Sequence, residues 1–150
     1  MRVILQRVSS AGVKIDGKQV AKIGQGLMIL LGVCDADEKA QADYLCEKVA
    51  NLRIFADGEG KMNRSALDVD GEVIIVSNFT LYADCKKGRR PSYVKAGNPA
   101  YAEQLYDYFV ERMKNTGVSK VETGSFGADM ELTIVNDGPV TIFLDTDELM

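Results

Sequence analysis

Two short segments hold the residue types that could act on a carbonyl group. Ser77-Asn78-Phe79-Thr80-Leu81-Tyr82-Ala83 offers hydroxyls, one amide side chain and a run of backbone N–H groups. Asn136-Asp137-Gly138-Pro139-Val140-Thr141 offers a Gly-Pro pair. Glycine tolerates almost any φ/ψ, and an X-Pro bond takes the cis form at modest cost. Each segment follows an apolar, β-branched run, residues 73–76 in one case and 132–135 in the other. Both therefore read as places where a strand delivers polar and backbone groups to an edge. A Gly138-Pro139 corner there could present two carbonyl oxygens in a rigid frame, reading a substrate without any side chain.

The chain contains no histidine. That removes the Ser-His-Asp triad, the Cys-His pair and imidazole metal sites together. Thr80 is the obvious nucleophile, but a threonine hydroxyl needs a base within reach, and none is in view. Cys34, Cys46 and Cys85 are widely spaced and form no C-x-x-C, so they indicate reduced thiols rather than a disulfide framework or zinc knuckle. No tight acidic motif marks a magnesium site either; Asp35, Asp37 and Glu38 read as caps and dipole partners at a helix start. No metal or cofactor is expected. Catalysis must rest on backbone amides, hydroxyls, bound water or the substrate's own groups, and water attack stabilised by N–H groups around Phe79 and Thr80 fits best.

Charge is segregated. Residues 86–95 carry five basic side chains (Lys86, Lys87, Arg89, Arg90 and Lys95) and no acidic one. The remainder has 13 basic against 22 acidic residues, a net of −9. A positive patch on an acidic body suits phosphate contact, although a solvated loop would look the same. Tyr93 beside it either shapes the loop or stacks on a base.

These residues must be positioned by a scaffold of 150 residues, the size of one domain. Residues 2–8 read as a strand, and 13–23 as a hairpin turning at Asp16-Gly17. Residues 26–33 form a continuous apolar run, as for a strand covered on both faces. A helix is expected from about Asp37 to Leu52, with Ala40, Tyr44, Leu45 and Val49 on its apolar stripe. Residues 57–70 read as an irregular loop and 72–77 as a strand. A second helix is capped by Asn98, opened by Pro99 and stopped by Gly117, with Tyr101, Leu105, Tyr108, Phe109 and Met113 facing the core. Residues 118–122, 129–135 and 141–144 return to strand. The expected fold is α+β: one domain over 1–150, a mostly antiparallel sheet or barrel with two main helices. No apolar run approaches a membrane span, and the N-terminal residues lack a signal-peptide layout, so a cytoplasmic protein without membrane contact is expected.

Five segments then converge. Residues 1–8, 77–83, 88–93, 126–130 and 136–141, in this order and spacing, resemble the D-aminoacyl-tRNA deacylases, hydrolases that clear D-amino acids from tRNA. One departure is visible: the family's first motif usually reads Ser-Gln-Phe-Thr, and Asn78 keeps the amide on a side chain one methylene shorter. The resemblance implies tRNA as partner rather than DNA, with Lys86, Lys87, Arg89, Arg90 and Tyr93 at the RNA. It implies a site built on Ser77, Asn78, Phe79 and Thr80, and substrate-assisted chemistry in which the terminal 2′-hydroxyl helps the attacking water. It further implies a homodimer in which a cis Gly138-Pro139 reaches into the partner's pocket and excludes L side chains. On the same basis Arg7 holds that motif, with Asn136 at its edge, while Phe126 and Met130 line the adenosine or aminoacyl pocket. On residues alone, Arg7 could be a surface charge, and Phe126 and Met130 core. Two rival readings remain at this level: a noncatalytic module that binds RNA ends, and a threonine- or serine-nucleophile esterase.

Overall fold

A computed structural model describes residues 1–150 and begins with two strands, β1 (Arg2–Ile15) and β2 (Lys18–Ile23). Asp16 and Gly17 join them with φ of 51° and 75°, the left-handed pair that a tight hairpin requires. β3 (Gly26–Gly32) returns antiparallel to β1. Helix α1 (Lys39–Asn51) and a small hairpin of β4 (Phe55–Ala56) and β5 (Met62–Arg64) then lead to β6 (Glu72–Ser77). After a 3₁₀ turn (Phe79–Tyr82) and a long loop come helix α2 (Pro99–Lys114), β7 (Lys120–Thr123), β8 (Glu131–Asp145) and a final turn of helix, α3 (Thr146–Leu149). No helix is long and apolar enough to cross a membrane.

The main sheet runs β2-β1-β3-β6-β7, with β8 on the other edge of β1. Pairs involving β1 are antiparallel; β3–β6 and β6–β7 are parallel, each spanned by a crossover that contains a helix. β2 also packs against β6 and β7, so the sheet curls nearly into a barrel.

The apolar runs of β3 and β6 are covered on both faces, as their composition predicts. Leu27, Ile29, Leu31, Val73 and Ile75 point to a large core shared with α1 and α2. Met28, Ile74 and Val76 point the other way, into a smaller core with Val8, Val13 and Ile23 inside the curl. On α2, Leu105, Phe109 and Met113 are buried, while half-buried Tyr101 and Tyr108 donate their hydroxyls to the Asp37 carbonyl (2.5 Å) and Asp43 Oδ1 (2.8 Å). Cys46 on α1 donates to the Phe109 carbonyl, and burial pushes its thiol up to about 12, so it stays protonated.

The structure revises several expectations. Residues 131–135 and 141–144 belong to one strand, and β1 continues without interruption through residues 9–12. The two strands pair with each other on both sides of the interruption, from Arg2↔Asp145 to Gln6↔Thr141 and from Ser10↔Val135 to Lys14↔Glu131, which keeps both extended through it. The loop at 57–70 includes β5, because Asp57 gathers the Glu59 and Lys61 N–H groups and the Asn63 amide and folds the segment back. Asp37 caps no helix: it is buried, bound to the Met1 ammonium and to the Cys34 N–H (2.8 Å). Asp35 instead accepts the Asn98 N–H (2.7 Å); Glu38 does cap α1 as expected, its N–H donating to Gln41 Oε1 (2.9 Å) in a capping box. Because α1 starts at Lys39, Ala40 is exposed, and Ala42, Cys46 and Ala50 join Leu45 and Val49 on the inner face.

Phe109→Ala removes a fully buried ring and should cost about 3–5 kcal/mol in chemical denaturation. Val94→Ala, at a side chain 90% exposed, should stay within about 0.5 kcal/mol in the same assay.

Candidate functional site

The 3₁₀ turn begins where β6 ends. Ser77 closes the β3–β6 ladder opposite Leu31, and the Asn78 N–H donates to the Leu31 carbonyl at 2.8 Å. Gly32 lets the turn lie against β3, since a Cβ there would stand 3.0 Å from Leu81 Cβ and 3.3 Å from the Asn78 oxygen. Arg2 fixes the far end. Its Nη1 donates to the Leu81 carbonyl (3.0 Å), its Nε to Asp145 (2.7 Å), and the guanidinium lies 4.4 Å from the Tyr82 ring centre. Three strands thus position one short turn.

Within the turn, the Asn78 side-chain oxygen accepts both the Thr80 N–H (3.2 Å) and the Thr80 hydroxyl. The Asn78 amide is therefore used locally as a cap. This bears on two candidates. The Thr80 N–H is occupied, whereas the Phe79 amide, first of the turn, has no acceptor within it. The Thr80 hydroxyl donates to an amide oxygen, which is no base, and Thr80 does not line the adjoining cavity.

That cavity has a volume of about 790 Å³, within the range of small-molecule sites. Ser77, Asn78 and Phe79 form one wall; Phe126 and Met130 form another. Phe126 leans on Tyr106 at 5.8 Å between ring centres, after which Gly127 turns the chain at φ 75°. A third wall is Ala96-Gly97-Asn98-Pro99, of which the sequence marks Asn98 and Pro99 only as a helix start and Ala96 and Gly97 not at all. Its signal was Gly97, where a Cβ would stand 3.1 Å from the Cys34 backbone. Asp35, Asp129, Tyr93 and Tyr106 are the titratable residues of the lining. Tyr106 is pushed up to about 12 by burial and donates its proton to the Ile75 carbonyl (2.8 Å), so it is no general base at neutral pH. No cluster of three or more His, Cys, Asp or Glu side chains converges anywhere in the chain.

Gly138-Pro139 lies elsewhere on the surface, outside this cavity's lining. Its peptide bond is cis. The β1–β8 register steps from Val8↔Asn136 to Gln6↔Thr141, so residues 137–140 bulge opposite Arg7 alone. Arg7 spans the bulge, with Nε donating to the Asp137 carbonyl (3.1 Å) and Nη1 to the Ile54 carbonyl (2.7 Å). Asn136 closes it from inside, accepting the Val140 N–H (3.3 Å) and donating to Thr141 Oγ1 (3.0 Å).

The basic segment forms a third region. Reciprocal bonds between Asp84 and Ser92 (2.8 and 2.9 Å) close residues 85–91 into an exposed loop. The Lys86 N–H, and then Lys95, hold the Asp84 carboxyl below the usual range, so it is ionised at neutral pH. Lys86, Lys87, Arg89 and Arg90 are exposed, and none forms an ion pair. Tyr93 leads from the loop to the cavity rim.

Comparison with known proteins agrees with this architecture. A family model described as D-Tyr-tRNA(Tyr) deacylase matches residues 4–145. The D-aminoacyl-tRNA deacylase of Syntrophomonas wolfei subsp. wolfei is 56% identical over 149 residues, 99% of each chain. That of Thermomicrobium roseum is 57% identical over 99% of this chain and 96% of its own. Among solved structures, the c-Myc DNA Unwinding Element Binding Protein superposes with a TM-score of 0.91 at 37% identity, covering 97% of this chain and 98% of that one. A probable eukaryotic D-amino acid tRNA deacylase shares the fold, with a TM-score of 0.84 at 16% identity over 95% and 97% of the two chains. These deacylase relatives are hydrolases, and so is this chain. The chain is a member of the D-aminoacyl-tRNA deacylase family.

Asn78→Ala should release the Thr80 amide, speeding its hydrogen exchange about fivefold, as expected of a cap worth about 1 kcal/mol. Asn78→Asp, which keeps an acceptor oxygen, should retain most of the protection. NMR-detected exchange at Thr80 reads both.

Proposed function

We propose that this protein is a chirality-proofreading enzyme of the cytoplasm. It hydrolyses the ester of D-aminoacyl-tRNA to free tRNA and a D-amino acid, and it spares the L ester. The observation that carries this reading is the cavity wall at Ser77–Phe79, where the first amide of the 3₁₀ turn faces no acceptor within the turn, in a chain that has no histidine to serve as base.

The chemistry needs little more. Water attacks the ester carbonyl, and the tetrahedral oxyanion forms toward the Phe79 N–H. The adjacent 2′-hydroxyl of the terminal adenosine orients that water. The 3′-oxygen leaves with a proton, yielding the free acid and the 3′-hydroxyl. An aminoacyl ester is already activated, so positioning and charge stabilisation replace a nucleophilic residue.

Selection is assigned to Gly138-Pro139, acting from a second copy of the chain. β8 supports this arrangement: its outer edge is unpaired, and it exposes Val135 and Phe143 on either side of the bulge. A twofold pair of such surfaces would give two equivalent sites. A Gly138 carbonyl accepting the substrate α-ammonium leaves a D side chain pointing to solvent and brings an L side chain against the Gly-Pro carbonyls. Glycyl-tRNA, with nothing to exclude, is a substrate on this reading. Arg7 holds the frame in place.

Single-turnover assays with D-tyrosyl- and L-tyrosyl-tRNA, without added metal, test the reading. Fast loss of the D ester alone is expected. Equal rates would remove chirality from the site, and tRNA binding without hydrolysis would favour a noncatalytic RNA-end module. Thr80→Ala should slow D-ester hydrolysis by no more than about tenfold, the scale of one hydrogen bond; complete loss with normal folding and tRNA binding, or an acyl-enzyme trapped on Thr80, would favour the nucleophile mechanism.

Gly138→Ala probes selection separately. At φ 126° a Cβ would stand 2.9 Å from both Arg7 Nη2 and Val140 Cγ2. The frame must shift, and the ratio of D to L hydrolysis should fall at least about tenfold, the scale of 1–3 kcal/mol of backbone strain.

A further inference from the structure

The side chains of Phe79 and Tyr93 have no part in the chemistry above. Their rings meet edge to face, with centres 5.0 Å apart and planes at 74°. Both line the cavity, yet Phe79 is 59% exposed and Tyr93 41%. A structural aromatic pair would bury these surfaces, whereas this pair presents them to solvent at the mouth of the site. The pair also joins two functional regions: Phe79 belongs to the 3₁₀ turn, and Tyr93 directly follows Ser92, whose backbone closes the basic loop with Asp84.

The charges on that loop identify the occupant. Lys86, Lys87, Arg89 and Arg90 are exposed and free of carboxylate partners. Asp84, the loop's own acidic neighbour, is occupied at the base by the Lys86 N–H and by Lys95 Nζ (3.5 Å). Exposed aromatic faces beside unpaired cations are the combination that holds single-stranded nucleic acid: bases stack and phosphates find positive charge. An amino acid side chain would use the rings and leave four cations without a role.

We propose that Phe79 and Tyr93 form a stacking site for the nucleobase immediately upstream of the reacting 3′-terminal nucleotide, with the loop at 86–90 taking the flanking phosphates. This rests on the deacylase reading and adds a recognition site to it. Stacking accepts any base, so the site registers a single-stranded 3′ end without reading its sequence.

Two substrates separate this site from the catalytic one: D-tyrosyl-tRNA and D-tyrosyl-adenosine, which lacks the upstream nucleotide. Tyr93→Ala should raise KM for the tRNA roughly tenfold or more, the loss typical of one stacked base, with a much smaller rise for the adenosine ester. Tyr93→Phe, which keeps the ring, should restore the tRNA value. Replacing Lys86, Lys87, Arg89 and Arg90 by glutamine should flatten the salt dependence of KM for the tRNA. Equal KM shifts for both substrates, or no shift for the tRNA, would overturn the proposal.

A binding readout is independent of turnover. An uncharged RNA bearing 5-iodocytidine next to its terminal adenosine should photocrosslink to Phe79 or Tyr93. A crosslink elsewhere, no crosslink, or no RNA binding would overturn the stacking site. Failure of wild-type protein to hydrolyse either ester, with this crosslink present, would instead overturn the deacylase reading.

Discussion

Strand β1 pairs along both edges, and the position of the site's parts follows from that constraint. On one side it meets β3 and then β2; on the other it meets β8 over nearly its whole length. A strand saturated on both edges cannot slip by a residue without turning its buried face outward. The extra residues of β8 therefore have to leave the ladder locally, and they do so at residues 137–140 opposite Arg7. The bulge has a fixed place because the pairing on either side of it is fixed. From the same strand Arg2 reaches the 3₁₀ turn through the Leu81 carbonyl. One strand thus references both the turn and the Gly-Pro corner.

The polar side chains around these features act mainly as struts. Asn78 ties Thr80, Asn136 ties the two ends of the bulge, Arg7 ties the bulge to Ile54, and Tyr106 ties α2 to β6. Each bonds a backbone group, and losing such a bond at a buried group costs about 1–3 kcal/mol. What remains open to a substrate is backbone held rigidly. Preorganised dipoles of this kind do not have to reorient during reaction, which is the source of their effect on developing charge.

The sequence disclosed the parts whose signal is local. The strands at 26–33 and 72–77 were legible from their apolar runs, the first also as a strand covered on both faces. Helix α2 was legible from Asn98, Pro99 and its apolar spacing. Family membership was legible from the ordered motifs and agrees with the relatives. Features set by partners distant in sequence were not legible. Asp37 looked like a helix cap because helix starts often carry aspartate, yet its burial depends on the N-terminal residue and Thr146. The continuity of β8 depends on β1, and β5 depends on the turn that Asp57 organises. Asn78 was visible as a departure from the usual motif, but its bonds to Thr80 required the turn geometry.

Charge placement bears on the proposed substrate. The body outside residues 86–95 is acidic, so it repels polyanions, and attraction is confined to one exposed loop. At physiological salt, interactions between exposed charges fade beyond about 8 Å, so the loop acts on phosphates close to it and not on the whole RNA. Tyr93 joins it to the cavity rim, so on the proposed reading RNA held by the loop would lie where the ester must be delivered. Lys95 strengthens the arrangement by pairing with Asp84. The acidic group that closes the loop is thereby neutralised, and the four cations beyond it remain free for phosphate.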